Sequence, residues 1–430
     1  MAEGDLIHVV GAGLAGLAAA LSLCRRGRRV ALYEAAPQAG GRCRSYYDSA
    51  LSCRIDNGNH LLLSGNRAAL SYVDWIAAEK TFDGPGEPVF AFADKASGER
   101  WSLSLGRGAL PWWTLSRRRR VPGSRAREYL APLSLRCAGP QARVADILAA
   151  KGALYRRLWE PLAVAALNTS AAEGSARLFW RVLEETLLRG GRACRPLLPR
   201  EGLSESLVDP AVLSLEKAGC TIRFGARLRS LLFSEGRVSA LLFEKARIAL
   251  GEGEYVVLAL PAAGAERLVP GLEAPLRFAP IVNAHFRVRA PEAAPPFIGL
   301  IGATAQWVFR KKEVVSVTVS AADDLLDEES ESLKERLWRD AAFAYGLAAL
   351  PLPAGRILKE RRATFLASPE ELERRPGAAT EWQNLVLAGD YTDTGLPATI
   401  EGAIRSGFAA ARLLDAGAGT GRQRTADETS

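Results

Sequence analysis

Three glycines near the start of the sequence have the spacing that holds a phosphate-containing ligand. Gly11, Gly13 and Gly16 form a G-x-G-x-x-G pattern, and Glu34 follows eighteen residues after Gly16. In such a pattern the first glycine permits a tight turn, the second leaves room for a pyrophosphate, and the third allows close helix–sheet packing. An acidic residue about 20 residues further on can accept hydrogen bonds from a ribose. The arrangement predicts dinucleotide binding.

The elements around the glycines strengthen this prediction. The sequence predicts a buried strand at Leu6–Val10, a helix at Leu14–Cys24 and a second strand at Arg29–Tyr33 that ends at Glu34. The pyrophosphate would lie at the helix N-terminus, where free N–H groups and the helix dipole favour negative charge. A signal peptide or membrane span is a poorer interpretation, because acidic residues precede the apolar run, glycines interrupt it, and a span needs about 18 or more apolar residues.

A second glycine motif indicates which dinucleotide is bound. Gly40, Gly41 and Arg42 follow the acidic residue closely. They would let the backbone pass close to a diphosphate and would place a fixed cation beside it. In this order the motifs resemble those of the flavin amine oxidase and carotenoid desaturase superfamily, and the resemblance implies FAD.

A matching signature lies near the other end of the chain. An apolar strand at Leu385–Ala388 is predicted to end in Gly389 and Asp390, and a helix is expected from about Ala398. Asp390 could hold a ribityl hydroxyl or phosphate-bound water. The helix N-terminus could stabilise negative charge on a reduced flavin.

Several longer stretches narrow the resemblance. GDYTDTGLPATIEGAIRSG, NGNHLLLSGN, WEPLAVAALNT and RRATF…SPEELERRPG together resemble the squalene-associated FAD-dependent desaturases, the bacterial hydroxysqualene dehydroxylases. The resemblance implies reductive removal of the allylic hydroxyl of hydroxysqualene, giving squalene for hopanoid synthesis. It further implies an isoprenoid lipid substrate and an electron donor that the sequence does not identify.

The residues predicted to contact FAD come from both signatures, from the polar loop after Arg54 and, by the superfamily resemblance, from an adenine contact near Leu228. They are Gly11, Gly13, Leu14, Ala15, Gly16, Glu34, Ala35, Gly40, Gly41, Arg42, Asn57, Gly58, Asn59, His60, Leu228, Gly389, Asp390, Pro397, Ala398 and Thr399.

The proposed reaction also needs an acid that protonates the leaving hydroxyl. The candidates are His60, Tyr391 and Asp393, and His60 and Asp393 are favoured. Three other interpretations stay open: an oxidative desaturase acting on a phytoene-like polyene, a lipid-binding escort without redox chemistry, and an amine oxidase. An amine oxidase usually has an aromatic cage, and Tyr391 is one candidate wall without a clear partner.

The element pattern predicts an α/β fold with two parts. A Rossmann-type FAD-binding domain, of the kind found in glutathione reductases and amine oxidases, is expected at 1–80, 195–265 and 375–415. An inserted α+β substrate domain is expected at 81–194 and 266–374, and a disordered tail at 416–430. Within the insert, the pattern predicts a solvated, charge-rich helix at Asp323–Arg336, with Leu325, Leu326, Leu333 and Leu337 on its inner face.

Composition excludes some other classes. Six cysteines have no C-x-x-C spacing and three histidines lie far apart, so we expect reduced thiols in a cytoplasmic protein and no metal site. Residues 101–127 carry seven arginines and no acidic residue, together with Trp101, Trp112 and Trp113. This composition suits peripheral contact with the cytoplasmic face of a membrane, narrowly favoured over a solvated basic loop. Nucleic acid is not expected, because no nucleic-acid module is evident.

Overall fold

The structure is a computed structural model that describes residues 6–84, 86–106, 108, 111–148 and 152–427, with side chains up to residue 415. Its strands are β1 (Leu6–Val10), β2 (Arg29–Tyr33), β3 (Ser45–Asp48), β4 (Cys53–Asp56), β5 (Leu62–Leu63), β6 (Phe82–Asp83), β7 (Val89–Asp94), β8 (Arg100–Ser104), β9 (Pro196–Pro199), β10 (Thr221–Arg223), β11 (Leu228–Ser234), β12 (Arg237–Phe243), β13 (Arg247–Ala249), β14 (Tyr255–Leu258), β15 (Phe278–Arg287), β16 (Phe297–Ile301), β17 (Trp307–Arg310), β18 (Val314–Ser320), β19 (Gly355–Phe365) and β20 (Leu385–Leu387). Its α-helices are α1 (Leu14–Arg25), α2 (Arg67–Trp75), α3 (Val144–Leu148), α4 (Glu160–Leu167), α5 (Ala176–Glu185), α6 (Asp209–Lys217), α7 (Ala262–Leu268), α8 (Ser330–Tyr345), α9 (Pro369–Glu373) and α10 (Ile400–Asp427).

A five-stranded parallel sheet lies at the centre of one part, with strand order β10-β2-β1-β14-β20. Its strands are short apolar runs, and those of β1, β2, β14 and β20 are almost wholly buried, as expected for a parallel sheet covered on both faces. Helices α1 and α10 pack together on one face. The predicted strand–helix–strand unit at the start of the chain is therefore confirmed, and so is the α/β class.

A seven-stranded mixed sheet forms the other part, in the order β19-β15-β18-β17-β16-β7-β8. Only β16 and β7 run parallel to one another; the remaining pairs are antiparallel. All its strands come from the two segments expected to form the substrate domain. The boundaries of the two domains stay a prediction.

The charge-rich helix predicted at Asp323–Arg336 is wrong in its bounds, whereas Leu333 and Leu337, two of the leucines expected on its inner face, are buried. Residues 323–325 form a short 3-10 turn, and α8 begins only at Ser330 and continues to Tyr345. The C-terminal half of α8 is largely buried against the seven-stranded sheet. Leu333, Leu337 and Trp338 of this helix belong to the apolar cluster between them. The prediction ended at Arg336 and therefore missed the buried C-terminal half of the helix.

Three smaller sheets join the parts: β11-β12-β13, β5-β9-β6 and the β3-β4 pair. Helix α10 begins at Ile400, two residues later than expected. The predicted disordered tail overlaps the end of α10, its residues 428–430 lie outside the described part of the chain, and disorder there stays a prediction. Among the described residues, no helix combines the length and apolarity that crossing a bilayer requires.

Candidate functional site

The glycine turn after β1 is built so tightly that two of its residues can only be glycine. Gly11 has φ +106°, and a Cβ there would lie 2.3 Å from the carbonyl oxygen of Ala259. A Cβ on Gly16 would lie 1.8 Å from the carbonyl oxygen of Gly11. Gly13 differs, because a Cβ there meets nothing within 4 Å. The open space is therefore beside Gly13, where a ligand can approach the backbone.

The N-terminus of α1 is left free for an anion. Gly13 is its N-cap residue, with no side-chain hydrogen bond and no acidic residue in the first turn. The first N–H groups of a helix have no partner within the helix, and Leu14 and Ala15 carry two of these groups here. Together with the helix dipole they provide a site for a phosphate.

Glu34 lies at the carboxyl end of β2 and is held in place by backbone donors. Its Oε2 accepts a hydrogen bond from the Ala12 N–H and its Oε1 accepts one from the Ala36 N–H, both at 2.8 Å. A carboxylate has about four acceptor positions, so two remain for ribose hydroxyls. Ala35, between these groups, presents only a methyl and its backbone.

The second glycine motif lies directly against the first. The Gly40 N–H donates to the Ala12 carbonyl at 2.8 Å, and Gly40 forms a bridge with Gly13. Gly40 and Gly41 both have positive φ, which glycine adopts without strain. This turn directs Arg42 away from α1.

Arg42 joins the two ends of the chain. Its Nη2 lies 2.7 Å from Asp390 Oδ2, and its Nη1 donates to the Ala363 carbonyl of β19. The Asp390 charge is the largest influence on Arg42 and raises its pKa. The Gly389 N–H donates to Ser406 Oγ at 2.8 Å, which ties the C-terminal signature to α10. The two glycine signatures predicted separately thus meet at one ion pair.

Helix α10 brings its own N-terminus to this region. Thr399 Oγ1 accepts from the Gly402 N–H at 3.0 Å and so caps the helix, with Pro397 and Ala398 leading into it. Further along, a Cβ on Gly407 would lie 2.2 Å from the Ala15 carbonyl oxygen. The missing side chain lets α10 cross the first turns of α1 at close range.

The polar loop after β4 is anchored on the seven-stranded sheet. Asn283 of β15 donates to the Asn57 carbonyl at 3.4 Å and accepts from Thr318 Oγ1 at 2.8 Å. Asn59 donates to the same Thr318 oxygen at 3.0 Å. Gly58 lies between them, where a Cβ would approach the Asn283 amide at 3.3 Å. The loop therefore lies at the junction of the two parts of the molecule.

His60 belongs to the same loop at this junction. The side chain of His60 is exposed at the surface, but its imidazole has many protein atoms around it. The resulting loss of hydration lowers the pKa of His60 to about 4. The nearest charges are Asp56, which favours protonation, and Lys311 and Arg42, which oppose it. His60 is thus neutral at neutral pH.

Asp56 and Lys311 form a buried ion pair close to His60. Asp56 Oδ1 also accepts from Ser45 Oγ at 2.6 Å and from the Leu203 N–H at 2.9 Å. Burial alone would raise the pKa of Asp56, but the Lys311 ammonium and these donors outweigh it and lower the pKa.

The other two acid candidates lie in contrasting environments. Tyr391 is fully buried, its Oη has no hydrogen-bond partner among the described residues, and burial raises its pKa. Asp393 is exposed, 4.0 Å from the Arg375 guanidinium, and accepts from the Gly395 N–H. No hydrogen bond or ion pair between described side chains joins either residue to His60.

Sequence reasoning missed the groups that surround His60. Asp56, Lys311, Asn283 and Thr318 come from β4, from the turn after β17 and from two strands of the mixed sheet. One signal was available, because Asn283 is a polar residue within the mostly apolar and buried strand β15. Leu228, the expected adenine contact, is buried in β11 opposite Phe243, and its role stays a prediction.

The geometry fits a flavin dinucleotide. Four features would line such a ligand from its ribose to its ring end. They are Glu34 with its two remaining acceptor positions, the open space at Gly13, the uncapped N-terminus of α1 and the Arg42–Asp390 ion pair. Among the described residues no cluster of three or more histidine, cysteine or acidic side chains could hold a metal ion.

Comparison with known proteins gives the same picture. The sequence profile of the family described as "Flavin containing amine oxidoreductase" matches residues 14–415. A hydroxysqualene dehydroxylase of Sinorhizobium fredii is 47% identical over 407 residues, which cover 95% of this chain and 97% of the relative. One from Zymomonas mobilis is 45% identical over 409 residues, covering 95% and 99%.

Solved structures share the fold at low sequence identity. A putrescine oxidase structure aligns with a TM-score of 0.69 at 16% identity, over 96% of this chain and 99% of that one. A cyclohexylamine oxidase from Brevibacterium oxydans aligns with a TM-score of 0.68 at 15% identity, over 96% and 99%. These similarities extend across both parts of the molecule and concern the fold alone.

Proposed function

The chain belongs to the flavin containing amine oxidoreductase family and binds FAD, and we propose that it reduces hydroxysqualene to squalene. One observation carries this proposal: the relatives that are named hydroxysqualene dehydroxylases match 95% of the chain at 45–47% identity. At that level the similarity covers the substrate part as well as the flavin part.

In this proposal the chain's own residues hold the cofactor along its length. The free N–H groups of α1 and the backbone beside Gly13 bind the pyrophosphate, and Glu34 binds the adenosine ribose. Arg42 and Asp390 would contact the middle of the cofactor, and the N-terminus of α10 would stabilise negative charge on the reduced flavin. Reduced FAD supplies a hydride.

The reaction needs one proton besides that hydride. The C–O bond of the allylic alcohol breaks as its oxygen takes up a proton and leaves as water, and the allylic carbon accepts the hydride. We propose that His60 delivers this proton, because it is exposed at the junction of the two parts, whereas Tyr391 is fully buried. The charges of Asp56, Lys311 and Arg42 also act on His60. Desolvation makes its protonated form a strong acid, though a sparsely populated one at neutral pH.

Two further partners belong to the proposal. An unidentified electron donor must reduce the flavin before each turnover, since the reaction consumes a hydride. The lipid substrate partitions into bilayers, so contact with a membrane surface through residues 101–127 would bring the enzyme to it.

The decisive experiment starts from the purified protein. We expect a yellow protein with a flavin spectrum that bleaches anaerobically with dithionite and recovers stoichiometrically when hydroxysqualene is added, with squalene detected by mass spectrometry. The oxidised protein mixed with phytoene-like polyenes is the matched control. Bleaching of the oxidised flavin by a polyene, with no reaction between reduced enzyme and hydroxysqualene, would replace this proposal with an oxidative desaturase. A colourless protein that takes up no FAD would indicate an escort.

A further inference from the structure

A surface of exposed apolar side chains lies on two 3-10 helices, Trp112–Leu115 and Ala126–Cys137. Four large apolar residues define it, which we call the leucine–tryptophan surface. Their side chains are exposed to 69% for Trp112, 65% for Leu115, 60% for Leu130 and 49% for Leu133. Such a concentration of large exposed apolar groups marks an interaction site.

The spacing along the longer helix aligns its exposed residues. In a 3-10 helix, side chains three residues apart eclipse one another. Arg127, Leu130, Leu133 and Arg136 have this spacing, and all four are exposed. The helix thus presents a row with two leucines at its centre and an arginine at each end, while Pro132 and Leu135 are buried beneath it.

The surface is anchored to the helical core by aromatic contacts. Trp113 lies edge-on to Tyr129 at 5.1 Å between ring centroids, and Tyr129 packs in the same way on Trp159 at 6.2 Å. Tyr129 Oη accepts from the Val121 N–H at 2.9 Å. The two short helices are therefore held together as one platform rather than as a loose loop.

These contacts correct the sequence prediction for two of the three tryptophans. Trp101 lies within β8, stacked on Phe92 at 5.6 Å and under the Arg157 guanidinium, and Trp113 is part of the anchor. Only Trp112 projects outward. Leu130 and Leu133, which lie outside the predicted segment 101–127, provide exposed apolar side chains instead of Trp101 and Trp113.

The charge around the surface is strongly positive. Residues 111–137 contain seven arginines and one acidic residue, Glu128. Glu128 is used locally, because its Oε2 accepts from the Arg125 N–H. Arg117, Arg118 and Arg119 are exposed, and within the described part of the chain no ion pair joins any of the seven arginines to a carboxylate. This charge is not neutralised within the molecule.

We propose that the leucine–tryptophan surface inserts into the headgroup region of an anionic lipid bilayer. Trp112, Leu115, Leu130 and Leu133 enter the interface, and the surrounding arginines contact anionic headgroups. A nucleic acid would meet the arginines but would leave the leucines in water, and a flat acidic protein would do the same. The inference rests on the proposed function in one respect, because membrane binding would give the enzyme access to its lipid substrate.

The test is sedimentation of the full-length FAD-loaded protein with vesicles in the absence of substrate. We expect binding to vesicles of 30% phosphatidylglycerol in phosphatidylcholine, and binding at least tenfold weaker to pure phosphatidylcholine, on the scale of about 1 kcal/mol per arginine. Trp112→Ala combined with Leu130→Ser, and separately Arg118→Glu combined with Arg119→Glu, should each weaken binding to the anionic vesicles about tenfold or more.

Matched controls lie elsewhere on the surface. Leu213→Ser removes an exposed leucine from α6, and Lys245→Glu combined with Arg247→Glu changes the net charge by the same amount as the arginine pair. Both should bind like the wild type. Equal weakening by the controls, no binding to anionic vesicles, or binding to nucleic acid in place of vesicles would overturn the inference.

Turnover of detergent-dispersed hydroxysqualene separates this result from the proposed function. The surface variants should retain that turnover, with circular dichroism confirming that they fold. A protein that binds vesicles but does not reduce hydroxysqualene would contradict the proposed function and leave the membrane surface intact.

Discussion

Arg42 and Asp390 are 348 residues apart in the chain and form an ion pair with 2.7 Å between Nη2 and Oδ2. Arg42 also holds the Ala363 carbonyl of β19, so one side chain connects both glycine signatures with the seven-stranded sheet. The Arg42 side chain is 43% exposed, and an ion pair with one partner so open to solvent stabilises a protein by about 1 kcal/mol or less. The main role of this ion pair is therefore to shape the cofactor site, rather than to stabilise the fold.

We expect Arg42→Ala to lower FAD affinity about tenfold to a hundredfold, since charge-assisted contacts to a diphosphate contribute about 1.5–3 kcal/mol. The thermal stability of the apoprotein should change little. Titration of apoprotein with FAD by calorimetry measures the effect. Asp390→Asn should give a smaller loss, and the double variant should show that the two effects are not additive. Strictly additive losses would mean that the pair does not act as a unit.

The crossing of α1 and α10 makes Gly407 intolerant of a methyl group. We expect Gly407→Ala to destabilise the protein by about 2 kcal/mol, because overpacking against a backbone oxygen should cost about 3 kcal/mol, the upper end of the usual range, and helix propensity returns only about 1 kcal/mol. FAD affinity should fall too, since the start of α1 must move. Denaturant unfolding measures the first effect.

Gly264→Ala in α7 is the control, because a Cβ there meets only ordinary contacts at 3.5 Å. That variant should be neutral or slightly more stable. If both substitutions behaved alike, the close crossing would have no energetic role.

The contact between Thr318, Asn59 and Asn283 should position the loop that carries His60. Thr318→Val removes a buried hydroxyl and leaves its partners unsatisfied, at a cost of about 1–3 kcal/mol. We expect a shifted flavin absorption spectrum and a lower rate of substrate reduction at unchanged KM. Thr318→Ser keeps the hydroxyl and should restore both, whereas failure of this rescue would point to packing by the methyl group.

Proton delivery can be tested in single turnovers of pre-reduced enzyme. His60→Ala should slow reoxidation by hydroxysqualene about a hundredfold, within the usual range for a general acid. Asp393→Asn and Tyr391→Phe should slow it less than tenfold by the same reasoning. Because the pKa of His60 is lowered to about 4, the wild-type rate should rise as pH falls from 7 towards 4.

This rise should be absent in His60→Ala. A slow Asp393→Asn enzyme beside a fast His60→Ala enzyme would move the acid to Asp393. If both kept the wild-type rate, neither residue would be the acid.

His285 makes the fold sensitive to acid. It is buried in β15, its Nδ1 lies 2.7 Å from Ser316 Oγ, and desolvation lowers its pKa to about 3. The unfolded chain binds a proton near pH 6.5, so stability is complete above that pH and is lost progressively as pH falls towards 3. At pH 4 the loss is at most on the order of 3 kcal/mol.

We expect His285→Asn, which keeps a polar atom near Ser316, to show a flatter decline in the free energy of unfolding between pH 7 and pH 4. Urea unfolding at several pH values measures it. Parallel declines in the two proteins would assign the acid sensitivity to other groups, His60 and His8 among them.

Much of the cofactor site could be predicted from the sequence because its determinants are local. Gly11, Gly13 and Gly16 lie within one turn, and the strand–helix–strand order follows from apolar runs of the right length. The position of Glu34 in the site could be predicted because this residue comes directly after the second strand. The same reasoning placed the bounds of α8 too early in the chain, although it identified Leu333 and Leu337 on its inner face. It failed for Trp101, whose partner Phe92 lies on a neighbouring strand.

The sequence by itself determined the dinucleotide turn, the α/β class and the basic character of residues 101–127, since each depends on neighbours in the chain. Only the tertiary structure decided that Arg42 meets Asp390, that Lys311 and Asn283 lie beside the His60 loop, and that Leu130 and Leu133 join Trp112 on one surface. These contacts depend on how sheets and helices pack across hundreds of residues. Residue type and local spacing carry no information about which distant side chains that packing brings together.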